Sequence, residues 1–433
     1  MSRCHPIALA TSILLCGGMW LYVSRVIVPQ QKAYAAIHSN PRGNLSDLYP
    51  RWLGSRELLL HRRDPYSAEI TREIQAGYYG RALDPARPND PADQEAFAYP
   101  VYVAFLLAPS IGLPFPAVQT IFRWTLAALT GISVLLWLRV VDWKPSGITT
   151  LTLLALTLGT FWVVQGIRLQ QLTLLVVPMI AAGIYLLIKN RQVASGMLLG
   201  LATVKPQIAV PLAAWLILWS CSRIHLRWKF VTAFAGTLLT LGVAGELVLP
   251  RWISEFYGAL IAYRGYTRHL SPLDELATPA LGIPLSLAIG ATVAILCWRA
   301  RNSPAMDDLF FVWTTSLVLA ANLLVIPTIA PYNQLLLLPG VFLLLHTWNQ
   351  GGQVTSTVRV LGWIAAGCLA WPWITAAALA LLSFFTPAAQ RFWEVPLWTS
   401  IVMPIPITAC LALRVRQLQS SRPTDSWSPT TAH

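Results

Sequence analysis

Apolar residues in this chain come in long runs of about 17 residues or more, recurring from end to end, with polar residues confined to short intervals between them. The runs predict membrane helices at 7–28, 116–138, 148–164, 171–188, 194–221, 230–249, 279–298, 308–326, 332–346, 359–382 and 398–413. Two stretches do not fit simple counting. The apolar segment 99–113 is closed by Pro109, Pro114 and Pro116 and is short for a span, and 194–221 is interrupted by Lys205-Pro206.

Short basic connections decide how these runs cross. Arg139/Lys144, Lys189/Arg191, Arg223/Arg227/Lys229, Arg299/Arg301 and Arg414/Arg416/Arg422 share the cytoplasmic side with Arg3 if positive charge stays inside. That holds if 99–113 does not cross and lies as a re-entrant or interfacial hairpin. It also requires 194–221 to enter and return as two short helices with Lys205 near the turn. Irregular backbone at membrane depth survives where it lines a protein cavity, so both breaks point to one. The expectation is an all-α polytopic bundle of about 12 transmembrane helices, a single domain over 1–413 with both termini cytoplasmic. Residues 29–98 form the first extracytoplasmic loop and 414–433 a disordered tail. Within the loop, apolar spacing over 45–60 predicts an amphipathic helix at the outer interface, and the Pro-, Asp- and Arg-rich 84–93 a mobile loop.

Composition agrees. Hydrophobic residues make up 55% and charged residues 11%, against about 25% charged in a soluble domain; a water-facing surface cannot be built from that. The formal charge of +13 is scattered over loops instead of gathered on one basic face, which excludes nucleic acid as the expected partner. The six cysteines lie in or beside apolar segments without CxxC spacing, and read as small membrane-helix residues. The run 7–28 leaves through Arg25-Val26-Ile27-Val28-Pro29 with no A-x-A site, which predicts a retained first helix and not a cleaved leader.

Candidate chemistry gathers on the outer side. Asp47, in Ser46-Asp47-Leu48-Tyr49, could deprotonate a hydroxyl, or cap the helix it precedes. Lys205, among apolar residues at a proline break, needs a partner; a phosphate would supply one, and snorkelling to the interface is the alternative. Gln207 could add hydrogen bonds or pack as a bundle amide. Arg168, Gln170 and Gln171, in the turn 165–171, suit sugar hydroxyls or phosphate, and equally a solvated turn. Tyr332, Asn333 and Gln334 follow Pro331 on the same face. Weaker candidates are Glu246, Arg264, Arg268, His269, Asp274 and Glu275. No D-x-D, H-x-x-x-H or Gly-rich phosphate loop is present, so neither a metal nor a cofactor is expected.

The order of several motifs resembles glycosyltransferase family 87. Asp47-Leu48-Tyr49, Leu58-Leu59-Leu60 and Asp64-Pro65-Tyr66 are similar to that family's first outer loop, with Arg63 where glycine is frequent. Phe97-Ala98-Tyr99-Pro100 with Leu106-Leu107-Ala108-Pro109 resembles its Tyr-Pro-Pro segment, Val101 replacing the second proline. The turn Gln165-Gly166 to Gln170-Gln171 is similar to its Gly-Gln-x-Asn turn, and 196–207, GMLLGLATVKPQ, to its Gly-rich helix ending in Lys-Pro. The resemblance implies the GT-C membrane fold and inverting, metal-independent transfer, with a polyprenyl-phosphate sugar, mannose above all, as donor. A lipid or glycan would accept it, with Asp47 as base, Tyr49 beside it, and Lys205 on the departing phosphate. Where the mannosyltransferase branch carries Ser-Pro-x-Ser-Trp-x-His-His, this chain has 326–334, IPTIAPYNQ, without either histidine; that departure leaves sugar and acceptor open. A transporter or lipid-linked sugar flippase is the rival class, since broken helices and an intramembrane lysine suit alternating access, although the long polar loop suits it less and no inverted repeat is visible. A catalytically inactive membrane scaffold is a third.

Overall fold

A computed structural model describes residues 6–37, 46–84, 86–87, 90–267, 270–305, 308–327, 329–351 and 355–420. Leu45, Arg268, His269, part of the 84–93 loop and residues 421–433 of the expected tail lie outside these. The described residues form helices joined by turns and irregular connections, with no strand.

The first span is α1 (Pro6–Tyr22), carried through the π-helical turn Val23–Ile27 into α2 (Val28–Ile37). The segment before the next span holds α3 (Tyr49–His61), α4 (Ala68–Tyr79) and the five-residue α5 (Val103–Leu107). Then come α6 (Phe115–Val140), α7 (Gly147–Leu158), α8 (Phe161–Arg168), α9 (Thr173–Ile188), α10 (Gln192–Leu201) and α11 (Pro206–Cys221). The remainder is α12 (Ile224–Val248), α13 (Trp252–Tyr266), α14 (Pro272–Ala277), α15 (Pro279–Ala300), α16 (Leu309–Val325), α17 (Leu338–Asn349), α18 (Ser356–Leu382), α19 (Trp398–Val402) and α20 (Pro404–Ser420). Because α20 runs to Ser420, residues 414–420 are helical.

Among the described residues, six helical stretches are long and apolar enough to cross a membrane: Pro6–Ala36, Phe115–Val140, Ile224–Val248, Pro279–Ala300, Ser356–Leu382 and Pro387–Ser420. A seventh is reached if α7 and α8, bent by 59°, form one broken span. The expected count of about twelve is therefore not reached by length. Four of the expected spans fall on helices of 10–17 residues, α9, α10 with its 3-10 extension, α11 and α16, shorter than the roughly 20 residues a bilayer asks for. Among these short helices α16 is the most enclosed. Every residue from Phe310 to Leu324 is buried, so it is apolar on all sides because protein surrounds it, and hydropathy does not separate that case from lipid.

Close packing follows the small residues. Gly196 and Gly200, four apart on α10, lie against α12; a Cβ on Gly196 would stand 2.6 Å from the Phe230 carbonyl oxygen and 2.9 Å from the Phe234 nitrogen. Such stripes let helix backbones approach closely. The segment 99–113 contains only α5 and a 3-10 turn at Ala108–Ser110, with no helix long enough to cross. The α3 helix, expected as an amphipathic interfacial helix, is more enclosed than that: it buries Trp52 and Leu58 together with Ser55 and Glu57, and packs on α4 and α5. Ser67 starts α4 by accepting from the Ile70 amide, and Gly80, at φ 84°, ends it.

Candidate functional site

Three breaks in the helical pattern meet around one cavity of about 400 Å³, within the size range of small-ligand sites. They are the residues leading into α3, the break between α10 and α11, and the 3-10 turn Pro331–Leu337. The α8–α9 turn and α13 complete its wall, together with the 93–100 segment.

The approach to α3 is fixed by the α8–α9 turn. The Asp47 amide donates to the Leu169 carbonyl at 3.0 Å, and the Ser46 hydroxyl to Gln170 Oε1 at 2.6 Å. Ser46 Oγ also accepts from the Leu48 amide, and no side chain caps the helix at Leu48. The Asp47 carboxylate is thus not engaged as the cap; it lines the cavity and accepts from the Gln171 side-chain amide. One turn on, Arg51 Nη1 donates to the Asp47 carbonyl at 2.6 Å, and its guanidinium lies 4.7 Å from the centre of the Tyr99 ring.

Lys205 stands where the 3-10 turn after α10 stops, with Pro206 opening α11. Only 3% exposed, it reaches Thr173 Oγ1 and, at 3.5 Å, Asn333 Oδ1, and its ammonium lies 4.8 Å from the Tyr332 ring centre. Thr173 in turn donates to Asn333 Oδ1 at 3.0 Å. These hydrogen-bonding partners are neutral, so the buried lysine is held at a cavity wall with no anion bonded to it among the described residues, an arrangement that favours an anionic ligand.

Asp47, Gln171, Lys205, Gln207, Tyr332 and Asn333 therefore share the cavity. Four expected residues do not line it. Gln170, fully buried with φ 49°, donates to the Ile167 and Arg168 carbonyls and pins the turn. Arg168 turns to Gln31 Oε1 at 3.0 Å. The Gln334 amide donates to the Ser400 carbonyl, and Tyr49 packs edge-on against Phe115, ring centres 4.9 Å apart. Among the weaker candidates, Arg264 reaches the cavity, whereas Glu246 accepts from the Arg251 amide and Asp274 forms a capping box with Ser271.

The sequence reading passed over Arg51, Asp93, Glu95 and Tyr263 and named Tyr99 only within the Tyr-Pro-Pro-like segment; all five are on the cavity wall. Arg51 was within reach of spacing, being four residues after Asp47, in the first turn of α3. The others arrive by tertiary closure: the Tyr66 hydroxyl donates to the Tyr99 carbonyl at 2.6 Å, and the Tyr79 hydroxyl to that of Asp93 at 2.8 Å. The Asp-Pro-Tyr element thus acts as a peg, with Asp64 Oδ1 accepting from the Tyr66 amide at 2.9 Å. Burial alone would lower the Arg51 pKa, but Tyr99, Glu95 and Asp47 outweigh it and hold the guanidinium above its ordinary range. Burial, then the charge of Asp93, pushes the Tyr263 phenol up to about 12, so it stays a donor.

The sequence of residues 97–327, more than half of the chain, matches the family model of glycosyltransferase family 87. No curated protein matches the chain, and no solved structure does.

Proposed function

Because the chain belongs to glycosyltransferase family 87 and is thus a membrane glycosyltransferase, we propose that it moves a monosaccharide, mannose in the first instance, from a polyprenyl-phosphate donor to a lipid or glycan hydroxyl on the extracytoplasmic face of a bacterial plasma membrane. The observation that carries this reading is that Asp47 and Lys205, a carboxylate and a buried amine, line the same cavity.

In the proposed step the acceptor oxygen attacks the anomeric carbon, and Asp47 takes its proton. The bond between that carbon and the phosphate oxygen breaks, its electron pair staying on the phosphate, which gains one negative charge. Lys205, with Asn333 and Thr173 fixing its position, offsets that charge as it develops. Gln171 holds the Asp47 carboxylate, and Gln207 offers an amide nearby. A second cavity supports a lipid donor. About 280 Å³ of almost wholly apolar space lies between α11, α15 and α16, and Asn322 on its wall donates to the Gln207 carbonyl at 3.1 Å. An isoprenoid chain whose phosphate meets Lys205 would run along α11 into that groove.

The test is to incubate purified protein with radiolabelled polyprenyl-phosphate mannose and membrane glycolipids. A new labelled glycolipid together with free polyprenyl phosphate supports transfer. Translocation of intact donor with neither product would replace this reading with a transporter.

A further inference from the structure

The cavity has a second cluster of charge that donor chemistry leaves unused. Asp93 and Glu95 come from the segment before α5, and Tyr263 and Arg264 from α13. The 93–95 stretch is held on α4: Tyr79 donates to the Asp93 carbonyl, and the Gln75 amide to the Gln94 carbonyl at 3.2 Å and its Oε1 at 3.0 Å. Arg51, between these acids and Asp47, keeps a buried Nε with no acceptor among the described residues.

We propose that Asp93, Glu95 and Tyr263, with Arg51 as the positioning residue, form the acceptor subsite and select an uncharged sugar ring. Pyranose hydroxyls are paired donors and acceptors; carboxylates take the donors with charge-assisted hydrogen bonds, while the Tyr263 phenol donates to the oxygens. Tyr263 also gives an apolar surface on which a sugar can lie. The two carboxylates stand with Arg51 and Arg264 in one wall, which therefore carries no net charge and gives a phosphorylated or carboxylated acceptor no net attraction to offset its desolvation. This rests on the donor reading, which assigns the Lys205 wall to phosphate and leaves this wall to the acceptor.

Binding is read first, without turnover. The full-length protein in neutral-lipid nanodiscs is titrated with methyl α-D-mannopyranoside and with mannose 6-phosphate by saturation-transfer NMR. The neutral glycoside should bind at least tenfold more tightly; Glu95→Gln should weaken it about tenfold, and Tyr263→Phe should do likewise if the first variant does not fold. Equal binding of both probes, or no change in a folded variant, overturns the subsite. In transfer assays Glu95→Gln should raise acceptor KM about tenfold while donor KM stays within twofold; a change confined to donor KM contradicts it. If glycoside binding behaves as expected but polyprenyl phosphate is never released, the donor reading fails and the acceptor role falls with it; if release occurs and acceptor KM does not move, only the present inference fails.

Discussion

The side-chain amide of Gln171 donates to Oδ2 of Asp47, tying an acid at the entrance to α3 to the turn that opens α9, 124 residues away in sequence. An acid that must take a proton from an acceptor needs its orientation fixed before the acceptor arrives. Gln171→Leu should keep the fold and lower kcat by about 100-fold, the scale of a misplaced reacting group, with donor KM little changed. Single-turnover measurement with labelled donor checks this, and a drop in KM affinity without loss of kcat contradicts it.

Lys205 sets function against stability. Its ammonium is buried with neutral hydrogen-bonding partners, and a buried charge without a bonded counter-ion is unfavourable until ligand arrives. Lys205→Met should hold or raise the thermal unfolding temperature while lowering donor kcat/KM by about 100-fold or more. Both are read on one purified sample in detergent. A variant that loses stability and keeps activity would make the lysine structural.

The α10–α12 contact predicts a separate defect. A methyl group at Gly196 would meet the Phe230 carbonyl at 2.6 Å and Ala233 Cβ at 2.9 Å, and backbone gives way less readily than a flexible side chain. Gly196→Ala should destabilise the protein by about 1–3 kcal/mol, the range for overpacking a close contact, seen as a lower unfolding temperature. Since α10 leads directly into Lys205, donor affinity should fall as well.

Asp90 gives a pH-dependent test outside the membrane spans. Its hydrogen bond from Arg81, then that from the Asp84 amide, lowers its pKa from 3.8 to about 2. A depressed folded-state pKa means that the stabilisation is present in full above the unfolded value near 3.8 and is lost as pH falls through about 2. Carbon-13 NMR of labelled aspartate should place the Asp90 midpoint near 2 in the intact protein. In Arg81→Gln it should move back towards 3.8; no movement would assign the shift to another neighbour.

Much of this site was legible because polar residues that interrupt apolar runs stand out. Asp47, Gln171, Lys205, Tyr332 and Asn333 were found that way, and all reach the cavity. The same signal brought in Gln170, Arg168 and Gln334, because an amide that pins a backbone turn looks in sequence like one that faces a ligand. Asp93 and Glu95 were hidden for the opposite reason: they sit in or beside a stretch so polar that no single acid is conspicuous, and only the Tyr66–Tyr99 and Tyr79–Asp93 hydrogen bonds bring them inward. The span count meets a related ambiguity at α16, since Phe310 to Leu324 is as apolar as a lipid-facing helix and is enclosed by protein.

The most direct measurement compares Asp47→Asn with the unaltered protein, both reconstituted with radiolabelled polyprenyl-phosphate mannose and acceptor glycolipid. The asparagine keeps the size of the side chain and the backbone bond to Leu169 but cannot take the hydroxyl proton. Transfer should fall by about 10²–10⁴-fold, the contribution of a general base, with folding and donor binding retained. Full-rate transfer by a folded Asp47→Asn protein would contradict the account.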